Sequence, residues 1–300
     1  MTLFDYPTAQ LDRFVMQELY QLERACAAAY EVYDFAQVVR RLTEFTNATL
    51  SNLYLDVGKD SLYLDESANE RRQMIVAVVD QILRTMTGIM APITPFLCEE
   101  IFHFRNGASS DPVEGVKGAE SVFINGWPSV DETWNDKKTV EECKQLLKLR
   151  DASLVMIEEA RQASHIKTSF EVEIDLIIKD RQHAIASAVD HYRKSDDRCG
   201  KPPLQFVGNK ADRLLFCSST RSLGSELTEL FNVARVTVVE QGQAESVSKQ
   251  VFSSREDEDG VTIRVCRSPR HRCPRCRALR KDSESDRLCR RCQSVVDALS

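Results

Sequence analysis

The chain has 300 residues, of which 42% are apolar and 29% charged, with a formal net charge of −6. Such a composition can bury a core, which excludes a chain disordered by composition, and it holds no apolar run of about eighteen residues from which to build a spanning helix. The start, Met1-Thr-Leu-Phe-Asp-Tyr-Pro7, has neither the basic region nor the apolar stretch of a secretory signal, nor the Arg-rich character of a transit peptide.

The first half reads as long amphipathic helices. Leu11, Val15, Leu19, Leu22, Cys26 and Ala29 recur at steps of three and four, as do Phe35, Val38, Val39, Leu42, Phe45 and Thr49. A third stripe runs through Ile75, Val78, Val79, Ile82, Leu83, Met86 and Ile89. Ala91-Pro-Ile-Thr-Pro95 breaks the pattern, and Pro95 suits the first position of a further short helix. Glu99-Glu100 read as its solvated surface. Residues 106–120 carry the Gly, Ser, Asp and Pro of a loop. Another helix is expected over 137–163, with Val140, Cys143, Leu147, Leu154 and Ile157 inward. These elements predict an all-α bundle with short connections.

After Thr168 the period falls to two. Phe170, Val172, Ile174 and Leu176 alternate with acidic residues, as in a half-buried strand. Shorter strands are expected near 204–207, 214–217, 233–239 and 261–265, with helical stretches near 183–191 and 222–230. The polar, acidic stretch 241–260 reads as a loop or hairpin excursion. The whole is mainly α: a helical bundle over 1–165, a small α/β domain over 166–266 and a terminal module over 267–300.

That terminal module carries the sharpest chemical signal. Cys273-Pro-Arg-Cys276 and Cys289-Arg-Arg-Cys292 are two Cys-x-x-Cys pairs, and four thiolates so spaced can close a tetrahedral shell around Zn2+ with no open position. The metal would be structural and would supply folding energy that so short a module cannot draw from a core. Cys266 and His271 fall off the pair spacing. The other cysteines are scattered, and this usage fits a reducing compartment: the cytoplasm of a bacterium or the mitochondrial matrix, with the matrix favoured.

From Arg267 onward there are ten Lys/Arg against four Asp/Glu, a basic tail on an acidic body. Its nine arginines include Arg275, Arg290 and Arg291 beside the cysteines, where a rigid knuckle would aim guanidinium groups at phosphates. A contact with an acidic protein is the competing reading. Catalytic signatures are absent: there is no Gly-rich phosphate loop, no Gly-x-Ser-x-Gly and no His-Glu-x-x-His, and the five histidines are dispersed. Read from its residues, this is a binding protein or a piece of one.

Tyr54-Leu55-Asp56 followed by Lys59-Asp60-Ser61-Leu62-Tyr63 resembles a signature of the isoleucyl-tRNA synthetase family in its helical anticodon-binding domain, with Ser61 in place of the usual Arg. Tyr33-Asp34-Phe35 with Val38, Met90-Ala-Pro-Ile-Thr-Pro-Phe96 with Glu99-Glu100-Ile101, Ser121-Val122 and Trp127-Pro128 resemble further family motifs in the same order. Glu159-Ala160-Arg161, Lys167 with Ser169-Phe170-Glu171, and Glu229-Leu230-Phe231 continue the match. The two cysteine pairs resemble the C-terminal zinc module of bacterial and mitochondrial members.

The resemblance implies a bundle that grips the anticodon stem-loop of tRNA(Ile), with the zinc module at the same end of the tRNA. It also implies that ATP and isoleucine belong to a catalytic half whose His-Ile-Gly-His and Lys-Met-Ser-Lys-Ser motifs do not occur in this chain. The chain is therefore expected to be the C-terminal part of such an enzyme, inactive alone, with a separate catalytic polypeptide as a possible partner and no membrane contact. A non-catalytic RNA- or protein-binding paralogue is the alternative. Candidate RNA contacts on the bundle, expected to be exposed, are Arg40, Arg41, Asn47, Asn52, Lys59, Arg71 and Arg72. Tyr54 and Tyr63 are expected to pack the bundle rather than stack bases.

Overall fold

Every apolar position of the first stripe is buried on α1 (Gln10–Glu31). Tyr33, at φ 58°, ends α1 in the left-handed region, and the Asp34 carboxylate then accepts from the Gln37 N–H at 2.9 Å to cap α2 (Phe35–Glu44). The computed structural model describes residues 9–105, 121–124, 126–178, 188–189, 226–240, 250–257, 260–280 and 287–299. The expected strands at 204–207 and 214–217 and the loop at 106–120 lie outside these residues, as does all but 188–189 of the helical stretch 183–191. Helix α2 runs on through wide, π-helical turns over Phe45–Leu55 into α3 (Asp56–Leu64), and α4 (Glu70–Met90), α5 (Pro95–Arg105) and α6 (Lys137–Gln162) follow. No helix among the described residues is long and apolar enough to cross a membrane.

The chain divides into two units. One comprises Asp12–Asp56 and Met74–Lys137. Its buried side chains include Val15, Leu19, Val38, Tyr54, Ile75, Val78, Ile82 and Ile89. The segment after 120 is tied down by side chains. Glu99 accepts from the Ser121 hydroxyl and from the Val122 N–H at 3.3 Å, so it anchors this segment instead of lying in solvent as the sequence suggested. Trp127 donates its indole N–H to buried Glu23 at 2.5 Å and meets Tyr30 edge-on at 5.5 Å. Pro128 lies where a Cβ on Gly88 would come within 3.0 Å of its ring, which is why α4 carries glycine there.

The other unit holds Ala9–Leu11, Val57–Gln73 and the chain from Lys138 on. The buried face of α6 is rotated from the expected one. It runs through Thr139, Cys143, Leu146, Leu149, Arg150, Ser153, Met156, Ile157 and Ala160, while Val140, Leu147 and Leu154 are only half-buried. Arg150 belongs on that face because its Nε donates to the Leu230 carbonyl at 2.9 Å, ending α7 (Glu226–Phe231). A four-stranded mixed sheet has the order β2-β1-β4-β3. In it β1 (Val172–Ile178) pairs parallel with β2 (Arg235–Glu240) and antiparallel with β4 (Val261–Arg267), whose other neighbour is β3 (Val251–Glu256). The parallel pair requires a crossover, and α7 lies on it. Within the polar stretch 241–260, Val251–Glu256 is thus the first arm of a β3–β4 hairpin, while 241–249, 258 and 259 lie outside the described residues. A two-residue pairing, β5 (His271–Arg272) with β6 (Leu279–Arg280), and α8 (Arg290–Leu299) follow.

Candidate metal centre and nucleic-acid interface

The first cysteine pair sits on a tight knuckle. Arg277, at φ 59°, lets the chain reverse so that its N–H reaches the Cys273 carbonyl at 2.9 Å and the Cys273 N–H reaches Ala278 at 3.0 Å. The second pair lies where a loop enters α8. The four sulfurs of Cys273, Cys276, Cys289 and Cys292 are buried, unbridged and all within 4.8 Å of one another. Sulfurs 2.3 Å from one tetrahedral ion would stand about 3.8 Å apart. Cys276 and Cys289 are 3.9 Å apart, so the set can hold a metal ion.

The surroundings fit that use. The Cys289 N–H points at Cys273 Sγ from 3.3 Å and Arg275 at Cys292 Sγ from 3.5 Å, donors of the kind that orient and stabilise bound thiolates. The hydrogen bond with Cys276, then burial, pushes the Cys289 thiol well above its ordinary range, and burial pushes up Cys292. Four thiolates this close to one another are stabilised by a cation held between them. Cys266 is elsewhere, with its thiol directed at Asp175 from 3.7 Å, and His271 lies exposed on β5. Cys26, buried on α1, is an inert core thiol, its pKa pushed up to about 11 by burial.

The arginines of the tail divide by partner. Arg270 pairs with Glu173 at 3.1 Å and Arg272 with Glu171 at 2.9 Å. Arg275 and Arg291 face inward, contrary to the expectation that the knuckle would aim them at phosphate. Arg275 donates to the Leu64 carbonyl at 3.0 Å, and Arg291 is gripped by Asp60 and Asp65 with only 7% of its side chain exposed. Burial would lower the Arg291 pKa, but the Asp60 and Asp65 carboxylates outweigh it and raise it. The exposed arginines of the module include Arg267, Arg277, Arg287 and Arg290.

The bundle candidates divide likewise. Arg40, Arg41, Asn47, Asn52 and Lys59 are exposed. Arg71 is buried against Glu229 at 3.3 Å, and Arg72 donates to the Leu62 carbonyl at 3.1 Å. Both stabilise the chain after α3, and neither lies open as expected. Tyr54 is buried and donates to Asp12 at 2.8 Å, as a packing residue should. Tyr63 is the opposite: it stands 81% exposed. It differs from the expectation because the buried positions of α3 are Val57, Gly58 and Ser61, a face that Tyr63 does not share.

The family pattern described as the anticodon-binding domain of tRNA ligase matches residues 12–176. The chain belongs to that family. Within it the likeness is to the C-terminal part of isoleucyl-tRNA synthetase. Isoleucine–tRNA ligase of Gloeobacter violaceus is 27% identical over 291 residues, 96% of this chain and 24% of that protein. The mitochondrial isoleucine–tRNA ligase of Macaca fascicularis is 25% identical over 286 residues, 95% of this chain and 26% of that protein. A shorter match, 32% over 171 residues, links 57% of the chain to 18% of the Caldicellulosiruptor saccharolyticus enzyme. The chain thus spans about a quarter of the length of relatives that match nearly all of it, and these include bacterial and mitochondrial proteins.

Proposed function

We propose that this chain binds the anticodon stem-loop of tRNA(Ile) as the RNA-reading part of an isoleucine–tRNA ligase, whose catalytic part supplies the ATP-dependent aminoacylation. The observation that carries the reading is the match of residues 12–176 to anticodon-binding domains together with relatives that are isoleucine–tRNA ligases over 96% of the chain. The chemistry is that of binding. Exposed loop bases can be splayed and stacked, while Arg and Lys track the phosphates. Exposed Arg40, Arg41, Asn47 and Lys59, with Arg290 on the terminal module, are of the types such contacts use. Arg71, Arg72, Arg275 and Arg291 act indirectly, by holding the backbone near them.

The metal is Zn2+, held by Cys273, Cys276, Cys289 and Cys292. All four corners are protein sulfur, which leaves no position for substrate, so the ion supplies folding energy to the module. Filter binding against tRNA(Ile) and non-cognate tRNAs tests the reading, with preference for tRNA(Ile) expected. Equal, weak retention of all tRNAs would count against it. Isoleucine-dependent ATP–pyrophosphate exchange is not expected from these 300 residues alone, which carry neither nucleotide motif.

A further inference from the structure

Arg275 and Arg291 occupy the same place in their two knuckles, immediately before the second cysteine of each pair. Both reach the same target, the C-terminal turn of α3. Arg291 holds the Asp60 and Asp65 carboxylates and donates from Nη2 to the Asp60 carbonyl at 3.0 Å. Arg275 takes the Leu64 carbonyl, one of the last carbonyls of the helix, which has no partner within it. The Leu64 side chain packs against the buried cysteine cluster. The wall of the metal centre and the end of α3 are therefore one packed structure, built from residues more than 200 positions apart.

The outward side of that same helix carries Lys59 and Tyr63, four residues apart and both exposed. On a helix such a pair shares one face. An aromatic ring standing in solvent one turn from an ammonium group has the two features that single-stranded RNA engages: a stacking platform for a base and a cation for the phosphate.

We propose that Arg275 and Arg291 are positioning residues through which metal occupancy of the four-cysteine centre fixes the end of α3, and with it the presentation of Lys59 and Tyr63 to an unpaired stretch of RNA. The clamp itself follows from the contacts above, whereas the identity of what Tyr63 stacks on rests on the tRNA-binding reading. With the ion bound, each knuckle has one geometry and both guanidinium groups are aimed at α3. Without it the knuckles lose their cross-link, the fork on Asp60 and Asp65 loosens, and the helix end frays.

The experiment uses the full chain and reads amide hydrogen exchange over residues 57–66 by mass spectrometry, zinc-loaded and chelator-stripped. Stripping should speed exchange there by about tenfold or more, the size of a locally opened turn. Asp60→Asn with Asp65→Asn, which leaves both knuckles untouched, should speed it similarly while one zinc per chain is retained. Exchange over 57–66 that ignores both changes overturns the clamp. In parallel, Tyr63→Ala should weaken tRNA binding by about tenfold in the loaded protein, within the range of a lost base stack, and the acid double variant should weaken it comparably. Faster exchange with unchanged tRNA affinity overturns the role in RNA presentation. Failure of the wild type to bind any tRNA counts against the function proposed above, and exchange then still decides the clamp.

Discussion

Tyr54 and Tyr63 belong to one short signature and have opposite environments. Tyr54 spends its hydroxyl on Asp12, which is fully buried, so removing that oxygen leaves a buried carboxylate one donor short. Tyr54→Phe should lower stability by about 1–2 kcal/mol, measured as the denaturant midpoint of helical circular dichroism, because the ring volume is kept and only the hydrogen bond is lost. Asp80 offers a pH-dependent contact of the same kind. Arg105 donates to it at 2.7 and 2.9 Å, and chiefly through those hydrogen bonds holds the carboxyl below its usual range. A carboxyl depressed in the folded state stabilises the fold above its unfolded pKa, about 3.9, and loses that contribution as pH falls through the folded value. The stability difference between wild type and Asp80→Asn should thus be constant above about pH 5 and shrink below pH 4. A difference that grew on acidification would contradict the assignment.

Individual elements were legible in the sequence wherever one face was uniformly apolar. The stripe of α1 came out complete, whereas β1 lies where the alternation predicted a strand but is not half-buried: Glu173 is buried on it, held by Arg270 and Ser268. The face of α6 was misread because Thr139, Arg150 and Ser153 are buried on it, each satisfied by a partner that periodicity cannot foresee; Ser153, for one, donates to the Leu149 carbonyl at 2.7 Å. The hairpin at 251–267 was half visible, since β3 is an exposed, polar edge whose partner is the apolar β4. The cysteine set was fully legible, because the spacing of metal ligands is local in sequence. The acids that receive Arg291 were not, since α3 and α8 meet only in the fold. The same separation predicts how the terminal module fails. Cys289→Ser should abolish metal binding by elemental analysis and expose residues 270–299 to protease, while most helical circular dichroism survives. The buried side chains of α1, α2 and α4 make no use of the metal. Collapse of the whole helical signal would refute that independence.

Across the whole chain, a basic terminal module rides on an otherwise acidic protein, but its charge is not all available. Arg270, Arg272 and Arg291 are neutralised by Glu173, Glu171 and the Asp60–Asp65 pair, so the module's positive count overstates what a polyanion would meet. Position beside a cysteine does not by itself put an arginine within reach of phosphate. Arg277 and Arg290 are exposed, whereas Arg275 is half-buried on a backbone carbonyl. Each neutralised phosphate releases condensed counterion and adds about 0.7–0.9 to the slope of log affinity against log salt. Arg277→Ala with Arg290→Ala should therefore flatten that slope by about 1.5 and weaken binding to cognate and non-cognate tRNA alike, since phosphate contacts carry no sequence information. Arg275→Ala should leave the slope nearly unchanged and act instead through the order of α3. A salt titration of wild type, the double variant and Arg275→Ala against tRNA(Ile) and one other tRNA makes the comparison. A slope that follows Arg275 and ignores Arg277 and Arg290 would mean that the knuckle turns outward on RNA and gives up its hold on α3.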